Sequence, residues 1–179
     1  MVDRLETERL SLRGLTVDDV EELVALDADP QVMRYINGGK ATSRAEVETT
    51  VRQSLDHRWM AFERSAGAFV GWLALRPSDR HGRERELGYR LRRQAWGQRF
   101  ATEGSKALIE LAFTRLGVHR VWAQTMTVNA ASRRVMEHSG LRYVRTFFLE
   151  WPEPIDGTEQ GDVEYELSKS DWEAAVPPR

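Results

Sequence analysis

The residues best placed to do chemistry lie between positions 84 and 113. A strand pattern there runs into Arg92-Arg93-Gln94-Ala95-Trp96-Gly97-Gln98-Arg99 and then into a long amphipathic helix pattern. A helix start leaves its first N–H groups without partners and carries about half a positive charge. A glycine in the turn before it lets the backbone approach a ligand closely, so the stretch predicts a seat for a phosphate-bearing, anionic cofactor. A second pair, Asn129 and Ser132, is one helical turn apart and shares a face. Asn129 can equally serve as the cap of that helix.

Composition narrows the classes. The chain has 179 residues, 41% hydrophobic and 30% charged, which suits a globular core and predicts a single domain over 1–179. A net charge of −2 provides no general pull toward nucleic acid or acidic membrane, so neither is expected as a partner. The absence of cysteine excludes disulfides, thiolate metal sites and a cysteine nucleophile. His57, His81, His119 and His138 form no i,i+4 pair, and no metal site is expected. There is no Walker loop, no G-x-S-x-G elbow and no G-x-G-x-x-G. No apolar stretch approaches the roughly 20 residues of a membrane span, and the start lacks a signal-like apolar run, so a cytoplasmic location is expected.

The elements that must hold the site follow from periodicity. Alternation predicts strands at 5–13, 59–63, 69–75, 86–91, 120–125, 141–150 and 163–167. Helices are expected from Thr16 or Asp18 to Leu26, from the capping box Ser43/Glu46 toward Asp56, over 101–116, and over 129–139 with Gly140 as terminator. A short helix closes the chain. Residues 30–39, 77–83 and 151–162 read as irregular. Trp59, Trp72, Trp122 and Tyr143 sit on strand patterns and are expected in the core. Helices and strands mix around one sheet, an α/β (α+β) class.

Four segments together resemble the GNAT N-acetyltransferases, in particular the RimJ/RimL-like subgroup. They are the opening Glu6-Thr7-Glu8-Arg9-Leu10-Ser11-Leu12-Arg13, the strand Glu86-Leu87-Gly88-Tyr89, the turn 94–99 followed by Phe100-Ala101-Thr102-Glu103, and Asn129 to Ser132 continuing to Gly140. The resemblance covers about residues 4–168. One position departs: Arg99 stands where the family usually has Gly or Ala. Its side chain either crowds the cofactor or swings out to add a charge-assisted phosphate contact, and the second reading is preferred.

The resemblance implies a mixed sheet of about six to seven strands, splayed between the family's fourth and fifth strands (here 86–91 and 120–125), with about four helices. It implies acetyl-CoA in that splay, with its arm paired to backbone near Leu91. The pyrophosphate would rest on N–H groups from Gly97, Gln98, Arg99, Ala101 and Thr102, with Gln94, Arg92, Arg93 and Arg99 nearby. Asn129 would contact the cofactor arm. Glu86 becomes the candidate base, Ser132 the candidate acid at sulfur and Tyr143 a weaker one. The bland alternatives are a paired strand carboxylate for Glu86 and a solvated arginine edge at 83–99. The implied activity is acetyl transfer to a primary amine, either a protein N-terminus or a small molecule. The acids of loop 151–162 would attract a cationic acceptor, and Gly38-Gly39 would wall its pocket. A homodimer is a further implication. Rival readings are a non-catalytic acyl-CoA-binding module and an RNA-binding arginine patch.

Overall fold

The computed structural model describes residues 4–78, 83–151 and 153–175; His81 and the centre of the loop expected at 77–83 lie outside them. The expected first strand is two. Thr7 N–H donates to the Leu10 carbonyl at 2.9 Å and folds the segment into a hairpin, β1 (Arg4–Glu6) and β2 (Leu10–Gly14). Helix α1 (Val20–Asp27) follows a short 3-10 turn. The stretch after Asp29, read as irregular, is instead helix α2 (Pro30–Asn37). Pro30 fills its first position, where no N–H is needed, and the Asp29 carboxylate accepts from Gln31 N–H at 2.9 Å. Helix α3 (Arg44–Ser54) begins with the expected capping box of Ser43 and Glu46.

Strands β3 (Arg58–Glu63), β4 (Phe69–Pro77) and β5 (Glu84–Leu91) follow, then α4 (Phe100–Arg115), β6 (Arg120–Met126), α5 (Ala130–His138), β7 (Arg142–Phe147), β8 (Asp162–Ser168) and α6 (Lys169–Ala175). Among the described residues this makes eight strands and six α-helices, rather more than expected, in one mixed sheet ordered β1-β2-β3-β4-β5-β6-β8-β7. The class agrees with the sequence. The extra strand comes from the hairpin, so the strand at 86–91 is fifth here.

The sheet is two half-sheets joined at one seam. β5 follows β4 through seven antiparallel pairs, Gly71↔Leu91 to Pro77↔Arg85. β6 follows β8 through seven more. β5 and β6 are parallel and pair only at Glu84↔Arg120, Arg85↔Val121 and Glu86↔Trp122. Arg120 fastens the seam: its guanidinium donates to Glu84 on β5 at 3.0 Å and to Glu164 and Glu166 on β8 at 2.6 and 2.7 Å. Beyond Glu86 the half-sheets part.

Each face has its own core. α4 packs over one face, where Leu108, Ile109 and Ala112 meet Leu73, Leu87, Val121 and Tyr165. α1 and α3 cover the other face of the first half-sheet, where Leu23, Leu26 and Val51 meet Met60, Trp72 and Ala74. Trp59 and Trp72 are buried as expected. Trp122 is only half-buried, and Tyr143, on the edge strand β7, is 53% exposed although it meets Tyr165 edge-on at 5.8 Å, because β7 has a strand neighbour on one side only.

Gly71 fixes how closely β4 follows β5. Its φ is +150°, and a Cβ there would lie 2.2 Å from the Arg90 carbonyl oxygen and 2.7 Å from Leu91 Cα. Gly71→Ala should destabilise the fold by about 2 kcal/mol, read as a lowered urea midpoint; an unchanged midpoint would contradict this close approach.

Candidate functional site

The site is built on the end of β5 that leaves β6. Arg92 N–H donates to the Val70 carbonyl at 2.9 Å. Alternate residues of an antiparallel ladder turn their main-chain groups to the same neighbour, so those of Leu91 point the other way, into the gap. The Leu91 carbonyl is taken by Trp96 Nε1 at 2.9 Å. Trp96, 47% exposed, therefore tethers the turn to the strand, and the Leu91 N–H is left facing the opening.

The turn behaves as its sequence predicts. A short 3-10 turn (Arg93–Ala95) carries Gln94, and Gly97 adopts φ +75° with nothing within 4 Å of the place a Cβ would occupy. None of the N–H groups from Gly97 to Thr102 donates a hydrogen bond within the described residues. The first main-chain bond at this end of α4 runs from Glu103 N–H to the Arg99 carbonyl at 3.0 Å, and Arg99 supplies no side-chain cap. The result is a cluster of donors at the positive end of a sixteen-residue helix, an anion seat.

The β1–β2 turn braces this loop, a role the sequence did not reveal. Arg9 Nη1 donates to the Gln98 carbonyl at 3.0 Å, and Arg9 Nε and main-chain N–H both donate to Glu103, each at 2.8 Å. Thr7 donates its hydroxyl to the same carboxylate. Burial pushes the Glu103 carboxyl up, but the hydrogen bonds from Thr7 and Arg9 outweigh it and hold the group below the usual carboxylate range. Glu103 thus stays ionised as a brace.

The arginines divide. Arg92 is ion-paired to Glu22 and lies over the Phe69 ring at 4.8 Å; Arg93 reaches Asp29 at 3.5 Å; Arg90 is paired to Asp27. The Arg99 side chain is exposed and makes no hydrogen bond or ion pair among the described residues. Its backbone, φ 64° and ψ 13°, is left-handed, the one such non-glycine among the described residues. A left-handed position favours glycine, which has no Cβ to clash, and Arg99 bears that backbone cost.

Across β5, side chains alternate between two faces. Glu86 shares the α1–α3 face with Gly88 and Arg90, both beside Trp72. Its nearest cation is Arg76, opposite it on β4, at 3.7 Å, whereas Arg120 is turned to Glu84. Tyr89 points to the α4–α5 face. Its hydroxyl lies 2.9 Å from Ser132 Oγ and 2.9 Å from the Ser132 carbonyl, to which it donates. Burial drives the Tyr89 phenol well above its ordinary value although Ser132 opposes this, so it remains a neutral donor. Sequence reading passed over Tyr89; its alternation with Glu86 along one strand was the available signal. Asn129 is the cap of α5, accepting from Ser132 N–H at 3.2 Å and donating to Thr125 Oγ1 at 3.1 Å. Carboxylate and hydroxyls therefore flank the gap from opposite faces.

The segment after α2 meets the loop before β8. Gly38 packs against Ile155, and Lys40 is ion-paired to Glu153. Of the loop's acids, Glu153 is so engaged, Glu159 accepts from Gly157 N–H at 3.1 Å, and Asp162 is buried at the start of β8. Asp156 is exposed. Among the described residues no group of three or more His, Cys, Asp or Glu is arranged to hold a metal, and no helix is long and apolar enough to cross a membrane.

Comparison with known proteins agrees with this fold. Residues 9–142 match the family model described as an acetyltransferase (GNAT) domain. A relative from Aspergillus fumigatus, FsC-acetyl coenzyme A-N(2)-transacetylase, is 35% identical over 94% of this chain and 77% of its own length. The solved spermidine N-acetyltransferase from Vibrio cholerae, in complex with CoA and spermine, superposes with a TM-score of 0.78 at 19% identity, covering 93% of this chain and 99% of that one. A RimL ribosomal L7/L12 alpha-N-protein acetyltransferase in complex with CoA gives 0.76 at 18% identity, covering 92% and 97%.

Arg99→Gly should raise stability. Removing a left-handed non-glycine relieves about 1–2 kcal/mol, and the extra backbone entropy of glycine returns about 0.5–1 kcal/mol. The net gain of about 0.5 kcal/mol would appear as a raised urea midpoint; a lower midpoint would mean that the side chain stabilises the turn.

Proposed function

Because this chain belongs to the GNAT acetyltransferase family, we propose that it moves the acetyl group of acetyl-CoA onto a primary amine by direct attack in a ternary complex. It is an acetyltransferase and acetyl-CoA is its cofactor. The observation that carries the reading of the site is the unpaired N–H run from Gly97 to Thr102 beside the open edge of β5. Acetyl-CoA fits these residues: the run suits the pyrophosphate, Arg99 and Gln94 flank it, and the Leu91 N–H faces the gap. When bound, acetyl-CoA supplies an acyl group activated as a thioester.

The chain's own groups then divide the work. The Leu91 N–H donates to oxygen on the gap side. Glu86 takes a proton from the acceptor ammonium, directly or through water. Ser132, held by Tyr89, gives a proton to the departing sulfur on the opposite face, and Asn129 fixes the helix that presents it. With no cysteine in the chain, no cysteine acyl carrier intervenes. An α-amine near pKa 8 is about one-tenth free at neutral pH, against about one in a few thousand for a lysine amine, so an α-amine needs less help from Glu86. The four RimJ/RimL-like motifs support a reading of the chain as near that subgroup.

We also assign a homodimer contact to the uncovered edge at β7. Val144, Phe148 and Leu149 are 41%, 71% and 50% exposed there, an apolar strip suited to a second copy of the chain. Phe148→Asp should yield a monomer in sedimentation analysis; a monomeric parent protein would remove the assignment.

Release of free CoA against a panel of primary amines tests the activity, and turnover on none of them would sink it. Glu86→Gln should lower turnover by about a hundredfold at pH 6.5 and much less at pH 9, where the amine is already free, with acetyl-CoA affinity unchanged in calorimetry. An equal loss at both pH values would remove Glu86 as base.

A further inference from the structure

The face of the sheet that carries Glu86 also carries a cavity of about 450 Å³ between β3–β5 and helices α1–α3. Its apolar wall includes Leu23, Met33 and Val47, and its floor is Trp72. Three guanidinium groups line it: Arg58, Arg76 and Arg90. Their positions follow from register. Arg58 pairs with Ala74, Arg76 with Glu86, and Arg90 with Trp72, so all share the face of Glu86.

The charge in this cavity is unbalanced. Arg90 has its carboxylate, Asp27. Among the described residues Arg76 has the 3.7 Å contact to Glu86 as its ion pair. Arg58 has no carboxylate partner among the described residues, and its Nε is buried with no hydrogen-bond acceptor. The Arg58 and Arg90 guanidinium carbons lie over the Trp72 ring, 4.2 and 5.3 Å from its centre. Burial, then the like charges of Arg90 and Arg76, push Arg58 down to about 10, against a weaker opposing pull from Asp27. A buried cation without a counter-charge is costly, and two neighbouring cations raise that cost. Asn37 Oδ1, also on the cavity wall, is buried without a donor. An anion entering the cavity would offset the cost of the uncompensated guanidinium, and a bound N–H or O–H donor would satisfy Asn37 Oδ1.

We propose that the acceptor amine also carries a carboxylate and an apolar body, and that Arg58 and Arg76 bind the carboxylate in this cavity while the amine lies toward Glu86. The inference rests on the acetyl-transfer reading of the Glu86 site. Arg76 is directly opposite Glu86 on the next strand, and Arg58, opposite Ala74 one strand further on, is about 12 Å from Glu86 backbone to backbone, a span that the long side chains and the acceptor together bridge. An amino-acid-like acceptor meets those terms, and a polycation does not. The acidic loop that the sequence offered as an attractant has most of its carboxylates engaged or buried, so the guanidinium groups set the sign of the pocket.

The test compares matched acceptors by CoA release: phenylalanine against phenylalaninamide, 6-aminohexanoate against its amide, and spermidine. The carboxylate member of each pair should be preferred in kcat/KM by about tenfold or more, and spermidine should be poor. Arg58→Gln should bring that ratio to within about twofold of unity, and Arg58→Lys should restore part of it. Should Arg58→Gln fail to fold, Arg76→Gln, at a half-exposed position, must lower the same ratio. Independently of turnover, calorimetry should show N-acetylphenylalanine but not its amide binding to the parent protein, and neither binding to the variant. Equal use of acid and amide, a preference for spermidine, or no binding of the acid at about 10 mM would overturn the proposal. Absence of transfer to every amine, with the acid still bound, would instead overturn the acetyl-transfer reading and leave the anion site standing.

Discussion

A strand can keep close company with only one neighbour on each side, and β5 is pulled toward β4 for its whole length. Seven pairs bind it there, while β6 is bound through seven pairs to β8. The two strands share only the three pairs nearest their starts. The groups proposed for cofactor binding and acetyl transfer lie where they separate: the outward Leu91 N–H, the turn at Gly97, and the side chains on either face of the gap. Main-chain groups at such an opening are unpaired by construction, and buried or half-buried donors without partners are costly. The opening is therefore a stored demand for hydrogen bonds, which a ligand with amide and phosphate groups can meet.

The arginines show how one residue type is put to three uses by its surroundings. Arg120 closes the seam with three carboxylates from two strands. Arg90, Arg92 and Arg93 bind α1 and the start of α2 to β5 and the turn after it, through Asp27, Glu22 and Asp29. These pairs attach the helical cover to the sheet beside the site. Arg99 and Arg58 have no carboxylate partner among the described residues, one at the turn before α4 and one inside the cavity. Within the arginine edge that the sequence shows at 83–99, Arg90, Arg92 and Arg93 are thus internal wiring, while the Arg99 side chain stays unpaired among the described residues.

The strand, turn and long helix around Gly97 were legible because they rest on local rules: alternation, a positive-φ glycine and helical spacing. The cap of α5 by Asn129 and the capping box of α3 were legible for the same reason. Local rules also misled. Pro30 looked like a breaker, although after a capping Asp29 it starts a helix. Uninterrupted alternation hid the bend at Thr7 that splits β1 from β2. What the sequence could not display were pairings over long separations. The brace from Arg9 to Glu103, the approach of Gly71 to Leu91, and the bond from Tyr89 to Ser132 join residues that only the folded sheet brings together. Tyr143 is exposed because β7 ends the sheet, and edge position depends on strand order rather than on composition.

The seam between the half-sheets also has a place along the chain. Every strand of the first half, β1 to β5, precedes Gly117, and every strand of the second half follows it. Neighbours in the first half are also consecutive strands, β1–β2, β3–β4 and β4–β5 linked directly and β2–β3 through helices α1 to α3, so that half can assemble while the ribosome is still making the rest. The second half emerges later and docks along the seam that Arg120 fastens. The connection between the halves, at Gly117, is accordingly the natural place to cut the polypeptide into two fragments that reassemble.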